Sequence, residues 1–123
     1  MVEPIFDRHD FILIEGEAKV YEHRSEGSGQ QVYVNFCEKC GTKLFLAFDR
    51  WTDIIGIYGG TFDNPDWYDR TPENSKQIFL SAAQAGTIIP PGVNTFDEHA
   101  TAIDGTPNEV TVFPKPKIIG SPD

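Results

Sequence analysis

Apolar and polar residues alternate with a period of two at residues 31–36, and short apolar runs follow. In Gln31-Val32-Tyr33-Val34-Asn35-Phe36 the aliphatic side chains fall on every second position, the pattern of a half-buried strand. Residues 43–48 and 54–58 predict two more strands, joined by the polar link Asp49-Arg50-Trp51-Thr52-Asp53. Upstream, Phe11-Ile12-Leu13-Ile14 and Ala18-Lys19-Val20-Tyr21 flank Glu15-Gly16-Glu17 and predict a hairpin over residues 10–24. Centring its turn on Gly16 sets Phe11 opposite Tyr21 and Ile12 opposite Val20, pairs that stabilise antiparallel strands. The same register sets His9 opposite His23.

The second half is less regular. Gly59-Gly60 and Asn64-Pro65 break the alternation, and residues 66–76 read as irregular. Residues 77–81 predict a short strand, and Ala82-Ala83-Gln84-Ala85 a single helical turn ended by Gly86. Thr87-Ile88-Ile89 before Pro90-Pro91 has the character of an edge strand, and residues 109–113 predict the last strand. Residues 114–123, with three prolines, are expected to lie over the surface or to be disordered. No repeat or linker divides the 123 residues, so the expected organisation is one domain over 1–113 followed by a Pro-rich tail over 114–123. Short strands, frequent turn signals and no amphipathic helix predict an all-β fold of small antiparallel sheets.

Charge narrows the function classes. Ten Lys and Arg against nineteen Asp and Glu give a formal net charge of −9. That balance argues against nucleic acid and anionic membrane as partners, since both demand clustered cations. No apolar stretch is long enough to span a membrane, and Met1-Val2-Glu3-Pro4 lacks the features of a signal peptide, so the expected localisation is cytoplasmic.

The candidate chemistry is concentrated in Phe36-Cys37-Glu38-Lys39-Cys40-Gly41-Thr42. Two thiols two residues apart, followed by Gly, can aim both sulfurs at one ion and form half of a tetrahedral zinc site. Cys37 and Cys40 are the only cysteines, so the alternative reading is two small residues at a turn. His9 and His23, neighbours in the predicted hairpin, are the imidazoles that could complete a Cys2His2 site. A second route is a homodimer in which two Cys37/Cys40 pairs share one zinc across the symmetry axis. Asp63, Asp66, Asp69, Glu15 and Glu17 read as surface charges, and no catalytic or cofactor-binding residue is assigned. Gly56, Gly59 and Gly60 follow a strand but precede no helix, which excludes a nucleotide loop. Trp51, Phe62, Trp67 and Tyr68 are candidates for a pocket wall or for the core.

Phe36-Cys37-x-x-Cys40-Gly41-Thr42-x-Leu44-Phe45 followed by Gly60-Thr61-Phe62-Asp63-Asn64-Pro65 resembles the glutathione-dependent formaldehyde-activating enzyme and centromere-protein-V family. Asp10-Phe11, Glu15-Gly16-Glu17 and Tyr21 are similar to that family's hairpin, and Gln77-Ile78-Phe79, Ile89-Pro90 and Phe96-Asp97-Glu98-His99-Ala100 match more loosely. The resemblance implies a Mss4-like, tent-shaped β fold. It also implies a structural zinc held by two cysteine pairs, the later being Cys37 and Cys40, and a catalytic zinc held by an upstream cysteine cluster. The implied reaction joins formaldehyde to glutathione, a carbon-sulfur lyase chemistry in reverse, with glutathione or a thiol adduct as ligand. This sequence begins where the upstream cysteines would end, so the earlier pair and the catalytic cluster are expected to be missing. Two expectations follow: a non-catalytic or binding homologue, or an enzyme whose missing ligands come from a partner chain or a dimer interface.

Overall fold

The three central strands form where the apolar pattern predicts them in the computed structural model, which describes residues 1–122. They are β3 (Gln31–Phe36), β4 (Lys43–Phe48) and β5 (Ile54–Ile57), preceded by β1 (Ile5–Asp7) and β2 (Lys19–Arg24). These five make one antiparallel sheet in the order β1-β5-β4-β3-β2. They belong to the first of two compact units, Met1–Trp67; the second runs from Tyr68 onward. The β3–β4 register pairs Val34 with Leu46 and Asn35 with Phe45, then shifts between Asn35 and Phe36 as the chain enters the cysteine turn. Leu46 and Ile55 are the buried apolar centre of this unit.

The predicted hairpin over residues 10–24 is not formed. β2 pairs with β3 instead, setting Val20 against Asn35 and His23 against Val32. The connection is the polar segment 25–30, closed by Gly29 N–H to Ser25 O at 2.7 Å. The physical reason lies in Phe11 and β1. Phe11 ends a 3-10 turn at Arg8–Asp10 and packs its ring on Phe45 at 4.7 Å, while β1 takes the free edge of β5. Ile12, Leu13 and Ile14 are consequently left exposed rather than paired. Gly59 allows a close backbone approach along this edge: its N–H bonds Val2 O at 2.8 Å, and a Cβ at residue 59 would meet that carbonyl.

In the second unit β6 (Lys76–Gln77) pairs in parallel with β8 (Asn94–Thr95), and β7 (Ile88–Ile89) pairs antiparallel with β9 (Lys117–Ile118). Its centre is Ile89, Val93, Thr95 and Phe96. The edge strand expected at residues 87–89 is present as β7. Three expectations are corrected. The strand over 77–81 stops at Gln77 because Phe79 turns into the left-handed region (φ 61°) and packs edge-on against the His99 ring at 4.8 Å. A 3-10 turn over Leu80–Ala82 then takes the place of the helical turn predicted at 82–85. Residues 109–113 form no strand and contribute a bridge from Thr111 to Thr95 and a bond from Gly92 N–H to Phe113 O at 2.9 Å. The tail supplies β9, whose partner is the otherwise open β7.

The fold is thus all-β: short sheets, 3-10 turns and, among the described residues, no α-helix. No helix there is long and apolar enough to cross a membrane.

Candidate functional site

The link between β3 and β4 is a closed turn. Cys37 N–H donates to Thr42 O at 2.8 Å, and Gly41 N–H donates to Cys37 O at 2.7 Å. Gly41 sits at φ +76°, a conformation that costs glycine least, which is why Gly follows the second cysteine. Cys37 is half-buried, Cys40 is exposed, and both thiols are free. The Cys40 sulfur lies 3.1 Å from the Thr42 hydroxyl. That hydroxyl, then the Thr42 backbone N–H and the Cys37 thiol, hold the Cys40 pKa below the ordinary thiol value by hydrogen bonding to the thiolate. The nearby Lys19–Glu38 pair at 3.9 Å is exposed on both sides and adds little.

Among the described residues, no three His, Cys, Asp or Glu side chains come together as a metal-binding group. His9 lies in the 3-10 turn, with its Nδ1 on Asp7 Oδ1 at 2.9 Å. The capping bond from His9 N–H, and then that side-chain contact, hold the Asp7 carboxyl below its usual pKa. His23 lies on exposed β2 with its ring stacked near Tyr21. With the hairpin gone, the cross-strand proximity of His9 and His23 goes with it, and the predicted Cys2His2 group does not assemble. A zinc ion takes four ligands in structural sites, so the donors that this chain brings together fit half of one.

The aromatic residues divide differently from expectation. Phe62 and Trp67 pack with Phe6, ring centroids 5.3 to 6.4 Å apart, as part of the first unit's packing. Trp51 meets Phe48 edge-on at 5.8 Å, with Arg50 over its ring at 4.4 Å.

A cleft that sequence reasoning missed lies on one face of the five-stranded sheet. It encloses about 500 Å³, and its walls include Arg8, Phe11, Val20, Asn35, Phe45 and Ile55. The β2–β3–β4 register explains the set, because Val20, Asn35 and Phe45 are successive cross-strand partners and so share a face. Asn35 is 9% exposed, and its Nδ2 donates to Tyr33 O at 3.1 Å. The Tyr33 hydroxyl donates to Asp49 Oδ1 at 2.8 Å, which raises the phenol pKa. The only advance signal was Asn at an alternating strand position, where a polar side chain on a covered face calls for a partner. In the second unit a smaller cavity of about 370 Å³ is lined mainly by the tail, including Pro114, Pro116 and Pro122.

Comparison with known families matches residues 1–82 to the glutathione-dependent formaldehyde-activating enzyme family. No curated protein and no solved structure matches.

Proposed function

This chain belongs to the glutathione-dependent formaldehyde-activating enzyme family, and from that premise we propose that it acts as a non-catalytic, thiol-adduct-binding homologue of the family's enzymes. The observation that carries this reading is the donor set: Cys37 and Cys40 are the only cysteines, and among the described residues no third donor joins them. A catalytic zinc needs about three protein ligands plus an open position. Two thiolates cannot supply both. The reading includes a cytoplasmic setting, where a reducing environment keeps both thiols free.

The second reading is an enzyme of carbon-sulfur lyase type whose remaining ligands come from a partner chain, a second copy of this one included. It is favoured by the exposure of Cys40, which leaves one thiol open to donors from outside. In a homodimer, two Cys37/Cys40 turns would hold one structural zinc.

The two readings separate in one experiment on the purified protein: zinc by elemental analysis, mass by light scattering, and the rate at which glutathione captures formaldehyde. The non-catalytic reading expects the rate of buffer and thiol alone. The partner-completed reading expects bound zinc, about one per two chains where a homodimer completes the structural site, together with a rate above that of buffer and thiol, and loss of both in Cys40→Ser. A rate increase by the metal-free monomer would overturn both.

A further inference from the structure

The sheet-face cleft holds two polar groups without protein partners, set in an apolar wall. Asn35 is nine-tenths buried and spends its amide nitrogen on Tyr33 O, while its carbonyl oxygen has no hydrogen bond among the described residues. That oxygen is not sealed from water, since the buried unpaired side-chain acceptor among the described residues is Gln31 Oε1, and on the cleft wall it is free to accept from a ligand donor. Arg8 is anchored by its backbone N–H on Asp53 O at 2.9 Å, and its guanidinium makes no ion pair or hydrogen bond among the described residues. Arg8 is exposed, so at the cleft of a chain of net charge −9 its guanidinium is free to pair with an incoming anion. With a single guanidinium, and acidic Asp49 on the same cleft, a singly charged group is favoured over a doubly charged one. In the same cleft Phe11, Phe45 and Ile55 present an apolar surface that water does not reward. The Phe11 and Phe45 rings, 4.7 Å apart and tilted at 52°, give it an aromatic wall.

We propose that this cleft binds a small monocarboxylic acid with an apolar, ring-sized body and a hydrogen-bond donor beside the carboxylate. Arg8 takes the carboxylate, the Asn35 carbonyl accepts from the donor, and the body fills the space against Phe11, Phe45 and Ile55. The volume suits such a molecule, since cavities for small ligands begin at about 300 Å³. The inference goes beyond the family reading, uses neither cysteine, and holds whether or not the chain is catalytic.

The probe is 3-phenyllactate, titrated into the full chain by calorimetry, with amide shifts recorded by NMR. The expected result is saturable one-to-one binding, with shifts at Tyr33, Asn35 and Phe45. Arg8→Met, which keeps the backbone bond to Asp53, should weaken binding by roughly tenfold or more through loss of a charge-assisted contact. Because changing buried Asn35 risks the fold, its role is tested on the ligand. 3-Phenylpropionate, which lacks the hydroxyl, should bind roughly fivefold more weakly to the unaltered protein. No saturable binding up to roughly 10 mM, a range that still captures millimolar sites, would overturn the proposal. So would equal affinity for the neutral amide of the acid, or affinity unchanged in Arg8→Met.

Discussion

Cys40 shows how much a single neighbour changes a thiol. The Thr42 hydroxyl 3.1 Å away stabilises the thiolate, and the turn that fixes the contact is closed by Cys37 N–H to Thr42 O. Alkylation by iodoacetamide, followed by mass spectrometry across pH, should place the Cys40 midpoint below that of an ordinary thiol. Thr42→Val should move the midpoint upward, whereas Thr42→Ser should keep it low; a midpoint indifferent to residue 42 would remove the hydroxyl from the account. The sign for stability follows from the lowered folded pKa. The contribution of ionised Cys40 is complete above the pKa of the unfolded thiol and is lost as pH falls through the lowered folded value. Cys40 is fully exposed, so solvent screening leaves this contribution small. The Cys-x-x-Cys-Gly turn was legible from residues alone because Gly41 announces its φ. The Thr42 contact was not, because it depends on a side-chain rotamer.

Among the elements, β3 was legible from its alternation, and β4 and β5 as short apolar runs bounded by polar links. The partners of β2 were not. Residues 11–14 offered a plausible local hairpin, but a ladder of six pairs with β3 and the packing of Phe11 on Phe45 outweigh four residues that bury only one side chain. β9 was missed for a related reason: two residues among prolines carry no periodic signal, and only the open edge of β7 gives them a role. Gly86 N–H donates to Ile119 O at 2.8 Å and Ile119 N–H to Thr87 O at 2.9 Å, flanking this pair. Truncation after Phe113 removes these two flanking bonds along with the β7–β9 pairing and should therefore cost the second unit at least about 2 kcal/mol, at about 1 kcal/mol for each flanking bond. The readout is thermal denaturation followed by circular dichroism, and an unchanged midpoint would show that the tail adds nothing to stability.

For the whole molecule, acidic excess governs solution behaviour. With a net charge of −9 at pH 7 and a sequence pI of about 4.6, self-repulsion keeps copies apart near neutrality and vanishes near the pI. Turbidity scanned against pH should rise to a maximum close to 4.6 and clear on either side; a maximum near neutral pH would point to association driven by the exposed Ile12 and Ile14 instead. The sequence by itself determined the all-β class, the three central strands, the cysteine turn and the family, because these rest on local alternation, turn residues and contiguous motifs. Tertiary structure alone decided where β1, β2 and β9 pair, that His9 and His23 stand apart from Cys37 and Cys40, and that Arg8 and Asn35 share a cleft. Those outcomes depend on contacts between distant residues, where competing pairings of similar local quality are separated only by how much apolar surface and how many hydrogen bonds each one completes.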